Sequence, residues 1–132
     1  MMRFRVMTYN IHKGIGGIDR QYRLARIIDT LAFYKPDIAL LQEVASGSPR
    51  SGHHQQVDVL GETLRFQHRA YQPNVTLRKG AHGNAILSHF PLSDIHDINL
   101  TIPLKKRRRS LAATCLLSIG KCSSPLVVYN FH

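Results

Sequence analysis

Three residues in this 132-residue chain combine a chemically useful side chain with a place at the end of an apolar run: Asn10, Glu43 and His132. Glu43 closes Ile38-Ala39-Leu40-Leu41-Gln42, where a carboxylate is costly unless it meets a cation or hydrogen-bond donors. A hard Mg²⁺ or Mn²⁺ ion is one such partner, because these ions take carboxylate and amide oxygens and keep several waters. Asn10, at the end of the first apolar run, can add an amide oxygen to the same site. The alternatives for Glu43 are solvent or an arginine partner. His132 lies two residues after Asn130, so the two point to one face of a strand. A histidine there can donate to a phosphate oxygen or transfer a proton, with a structural or frayed terminal residue as the alternative. Lys105-Lys106-Arg107-Arg108-Arg109 is the densest charge cluster. It reads as a loop before a strand, where cations can meet phosphates, or else as a solvated loop. No aromatic residue interleaves with it, which weakens the case for stacking on single-stranded bases.

The elements that must position these residues follow from the hydrophobic pattern. Residues 3–11 alternate and are rich in Val, Phe, Thr and Tyr, predicting a strand. Lys13-Gly14-Ile15-Gly16-Gly17 is a flexible turn without a nucleotide-binding fingerprint or a P-loop ending. Asp19 is placed to cap a helix over 20–34, with Leu24, Ile27, Ile28 and Leu31 at helical spacing and Arg20, Arg23 and Arg26 on the solvated side. Pro36 stops it. Residues 38–41 form a short continuous apolar run, predicting a buried central strand that ends at Gln42-Glu43. A loop over 45–52 leads to a second helix over 55–64. Strands are predicted over 66–71, 74–77, 83–88, 95–102, 111–119 and 126–132. Early helical crossovers followed by hairpin-like strands predict an α/β sandwich with mixed sheets.

Composition narrows the class. Hydrophobic residues make up 43% and charged residues 20% of the chain, which fits one folded domain with a real core. No apolar run reaches the length of a membrane span, and the alternating start lacks a signal peptide's apolar centre, so a cytoplasmic location is expected. Cys115, in an apolar run, and Cys122, beside a Ser-Pro turn, predict one buried and one exposed thiol rather than a disulfide framework. The eight histidines are scattered, not spaced as ligand pairs. The net charge of +10 favours polyanionic partners: nucleic acid, phospholipid head groups or phosphorylated small molecules.

Thr8-Tyr9-Asn10-Ile11-His12-Lys13-Gly14, Leu41-Gln42-Glu43-Val44, Gly83-Asn84-Ala85-Ile86-Leu87-Ser88 and Val128-Tyr129-Asn130-Phe131-His132 occur in that order. Together they make the chain resemble the endonuclease/exonuclease/phosphatase superfamily, the deoxyribonuclease I-like enzymes, over nearly its whole length. The resemblance implies a four-layer α-β-β-α sandwich, with residues 1–132 as the N-terminal part of a single domain. It implies a metal-dependent phosphodiester or phosphomonoester hydrolase using Mg²⁺ or Mn²⁺. Glu43 matches the metal-ligand glutamate, Asn10 the asparagine that organises metal and phosphate, and His132 the histidine of an N-x-H motif. That motif also places Asn130 toward phosphate, and one of Arg107, Arg108 and Arg109 matches a substrate-holding arginine. Asn84 is expected to be structural. The family's G-D-x-N and S-D-H motifs are not found among these residues. The expectation is therefore a domain truncated after about half its length, with little activity alone and an exposed apolar sheet face. A non-catalytic, basic nucleic-acid-binding fragment is the rival reading. No oligomeric state is implied.

Overall fold

The computed structural model describes residues 3–76 and 78–132. Two β-sheets carry the architecture. The first has four strands in the order β1-β2-β4-β3, from β1 (Val6–Asn10), β2 (Ile38–Ser46), β3 (His68–Thr76) and β4 (Ala81–Ser88). Here β1 and β2 are parallel, joined by helix α1 (Leu24–Tyr34), while β2, β4 and β3 are antiparallel. The second sheet is an antiparallel meander, β5 (Leu92–Asn99), β6 (Arg109–Ile119) and β7 (Cys122–Phe131). Helix α2 (Gln56–Thr63) joins α1 on the outer face of the first sheet.

The two-residue alternation of the strands sorts their side chains into two cores. Ala39, Leu41, Ala85 and Leu87 face the helices and pack with Leu24, Ile27 and Leu31 of α1 and Leu60 of α2. Ile38, Ala70 and Ile86 face the second sheet and meet Leu111, Ala113, Cys115, Leu117 and Val128. Burying one such leucine or isoleucine side chain contributes about 1.5–3 kcal/mol. The described residues thus form helix, sheet and sheet layers in succession. On β7, Val127, Tyr129 and Phe131 are 52%, 55% and 65% exposed, so the second sheet presents an apolar outer face, as the sequence led us to expect. Cys115 is buried and Cys122 exposed, both as free thiols.

Several boundaries differ from the sequence expectation for identifiable reasons. Helix α1 begins at Leu24, not 20, because Arg20 adopts a left-handed φ of 53° and Tyr22 bridges back to Ile15. Asp19 does not cap it: its carboxylate accepts the Gln21 amide and pairs with Arg26. β2 does not stop at Glu43 but runs on to Ser46, passing through a bulge between Leu41 and Val44. The two weak strands expected over 66–71 and 74–77 are one strand, β3, kinked between Pro73 and Val75; Leu77 lies outside the described residues. Proline lacks the amide a ladder needs, and a bulge accommodates that.

Candidate active site

Between the sheets, at the end where β1 finishes, the apolar core gives way to a layer of buried amides. Gln42, Gln72, Asn84 and Asn130 are each at most 7% exposed. The Asn130 amide donates to the carbonyls of Leu41 and Ala85, both at 2.8 Å, and its oxygen accepts from Gln42 at 2.7 Å. Asn84 donates to the carbonyls of Asn130 and Arg109, and Gln72 to that of Ser110. These bonds fasten the second sheet to the first where β2 bulges. Asn84 is therefore structural. Asn130, expected from the sequence to meet phosphate, lies in this layer and does not line the cleft: it is buried, and its side-chain amide nitrogen and oxygen are both bonded to protein partners.

Above this layer the chain brings together the three residues with which the sequence reading began. Glu43 sits in the β2 bulge with a φ of 53°, a left-handed conformation unusual for a side chain of this kind. Bulges re-aim side chains, and strain of this sort tends to be held where a site requires it. One Glu43 oxygen accepts from the Asn10 amide at 3.2 Å and lies 3.7 Å from His132 Nε2. The other is paired with Lys13 Nζ at 2.7 Å. Asn10 also lies 3.2 Å from His132 Nε2 through its amide nitrogen. That contact leaves the proton of the neutral imidazole on Nδ1. The Asn10 oxygen accepts the backbone amide of His12 at 3.0 Å, so Asn10 turns its nitrogen, not its oxygen, to the carboxylate.

Burial opposes ionisation of Glu43, but hydrogen bonds from Lys13 and Asn10, with the charges of Lys13 and His12, outweigh it. The carboxyl is held below its ordinary range and is ionised at neutral pH. The turn that delivers Lys13 is not loose, contrary to the sequence reading. Buried Gln56 and Ser51 both donate to the Lys13 carbonyl, at 2.8 and 3.2 Å.

Glu43 and His132 open onto a cleft of about 450 Å³ that Lys106, Arg107, Arg108, His82 and Asn74 also line. Arg107 and Arg108 stand where a phosphate can be met. Arg109 does not: it opens β6 and is paired with Asp97 at 2.7 Å. Lys13, Asn74 and His82 are site residues that sequence reasoning missed. His82 carried a signal, since it shares the strand face of Asn84, two residues on. Lys13 and Asn74 carried none, because a tight turn and a bulge place them. Among the described residues, no group of three or more His, Cys, Asp or Glu side chains could enclose a metal ion.

Residues 7–121 match the model of the Endonuclease/Exonuclease/phosphatase family. The chain belongs to that family. It is 29% identical over 115 residues to the uncharacterized protein YbhP of Escherichia coli (strain K12), a match covering 80% of this chain and 44% of YbhP. Among solved structures it is similar to an endonuclease/exonuclease/phosphatase from Beutenbergia cavernae DSM 12333, with a TM-score of 0.72 and 23% identity, over 98% of this chain and 38% of that one. It is also similar to ANGEL2, a 2′,3′-cyclic phosphatase solved with adenosine-2′,3′-vanadate, with a TM-score of 0.64 and 19% identity, over 98% and 41% of the two chains. The family's two-sheet fold is thus present, and the chain spans less than half the length of these relatives.

Proposed function

We propose that this chain carries the metal- and phosphate-binding side of a divalent-metal-dependent phosphodiester or phosphomonoester hydrolase. The observation that supports it best is the convergence of Glu43 of β2, Asn10 of β1 and His132, just beyond β7, beside one basic cleft. A carboxylate ionised at neutral pH and held in a bulge suits a Mg²⁺ or Mn²⁺ ion that keeps most of its water. Glu43 would hold it, with Asn10 fixing the carboxylate. When bound, the ion neutralises charge that builds on the phosphate during displacement.

The chain's own groups do the rest. Lys13 offsets the Glu43 charge, the Asn10 amide holds Glu43 and His132 Nε2 in place, and His132 Nδ1 provides a donor for a phosphate oxygen. Arg107 and Arg108, which line the same cleft, hold the ester, and Arg108 also donates to the His132 carbonyl at 3.0 Å. No Gly-Asp pair occurs in the 132 residues, so an aspartate of the G-D-x-N type to activate water is not among them. The proposed role is therefore binding, with little turnover by these residues alone.

Mn²⁺ titration followed by NMR line broadening tests this. Signals of residues 10, 43 and 132 should broaden first in the native chain, and Glu43→Gln should remove the effect. Equal broadening in that variant would overturn the assignment. The exposed run Lys105–Arg108 also favours a second reading, a basic nucleic-acid-binding fragment. Binding that falls steeply with salt, needs no metal and survives Glu43→Gln would select it.

A further inference from the structure

A second cleft, of about 530 Å³, lies beside the first and is separate from the Glu43 carboxylate. His12, Lys13, Arg20, Arg50 and His82 line it, and no Asp or Glu does. The nearest acids by contact are already neutralised: Glu43 pairs with Lys13, and Asp19 with Arg26. Neither Arg20 nor Arg50 forms an ion pair among the described residues. Its walls are preorganised. Gln56 and Ser51 hold the Lys13 carbonyl, His12 Nδ1 is bonded to the Ile15 carbonyl at 3.0 Å, and Tyr22 is bonded to His54 at 2.8 Å. A concave lining whose only charged side chains are basic, with Arg20 and Arg50 free of ion pairs, favours an anion, and preorganised walls lower the cost of binding one.

His82 lines both clefts, so a single side chain borders the two. We propose that the second cleft is a further phosphate subsite, in which Arg20 and Arg50 take a phosphate group of the substrate other than the one at Glu43 and His132. This rests on the hydrolase reading above and narrows it to substrates bearing at least two phosphates. Simple phosphomonoesters are then poor ligands.

The test compares thymidine 5′-monophosphate, thymidine 3′,5′-bisphosphate and inorganic phosphate, titrated against the full chain and followed by NMR without divalent ions. The native chain should bind the bisphosphate at least about tenfold more tightly than the monophosphate, because the second group binds at high effective concentration. Arg20→Asn combined with Arg50→Ala should bring the two affinities together; asparagine suits the left-handed backbone at 20, and both side chains are exposed. Equal affinities in the native chain, or a preference that survives the double variant, would overturn the proposal. So would arginine-dependent binding of inorganic phosphate with no preference for the bisphosphate, since the cleft would then serve a free anion. Failure of the metal reading shows up separately, in the Mn²⁺ titration of Glu43→Gln.

Discussion

Replacing Asn130 by alanine isolates the amide layer from the apolar core. The substitution removes three direct bonds of 2.7–2.8 Å, to Gln42 and to the carbonyls of Leu41 and Ala85, at a residue only 2% exposed. Gln42 keeps Thr8 and the Leu40 carbonyl, so the cost falls on the two carbonyls, at about 1–1.5 kcal/mol each. The total is roughly 2–3 kcal/mol, a large fraction of the stability of a domain this size. For a chain of this length that corresponds to a fall in Tm of about 10 °C. Urea denaturation monitored by circular dichroism measures the change directly. Asn130→Asp separates shape from chemistry: it keeps the volume but sets carboxylate oxygens against two carbonyls, so it should be at least as damaging as alanine. A loss below about 1 kcal/mol for either variant would show that the layer does not fasten the sheets.

Other perturbations reach different parts of the same region. Gly83→Ala should destabilise by about 2–3 kcal/mol or prevent folding, because a Cβ there would lie 1.8 Å from the Gln72 carbonyl oxygen of β3, a backbone atom with no freedom to move aside. Thermal melts would reveal it, and an unchanged Tm would refute the close approach. Burial pushes the Tyr71 phenol up to about 12 from an ordinary value of 10.0. Its contribution to stability is therefore complete below pH 10 and lost as pH rises through 12, and absorbance near 295 nm should show this tyrosine ionising last. Arg107→Ala with Arg108→Ala should weaken phosphate-ester binding several-fold at unchanged Tm, since both side chains are exposed in the cleft. Arg109→Ala should instead lower Tm, because it breaks the pair with Asp97; the two measurements in parallel decide between these roles.

What the sequence revealed and what it hid divide along a physical line. Periodicity located both helices and nearly every strand, because each has one face in a core, and the side-chain period reports that face directly. It also singled out Asn10, Glu43 and His132, polar residues at or near the limits of apolar runs, which the fold brings within 3.7 Å of one another. It misplaced whatever depends on a departure from regularity. The β2 bulge let Glu43 look like a strand terminus, and the left-handed Arg20 shortened α1. What sequence position hid for Asn130 and Arg109 is their partners in space: Asn130 is buried among protein groups and Arg109 is paired with Asp97.

The bulge and the amide layer also explain each other. A single extra residue in β2 turns Glu43 out of the strand's alternation and into the cleft, at the cost of a left-handed backbone. At the same point the register with β4 shifts, and Asn130 reaches across from the other sheet to the Leu41 and Ala85 carbonyls that flank the break. Gln42, the neighbour of Glu43, is held by Asn130 and Thr8 together. The strained carboxylate is thus fixed from both sides by groups that never touch the cleft. A rigid Glu43 needs the second sheet, and β7, which ends one residue before His132, supplies both the clamp and the histidine. Loss of Asn130 should therefore disturb the Glu43–His132 geometry even where the variant still folds, and Mn²⁺ broadening at residue 43 should weaken along with stability.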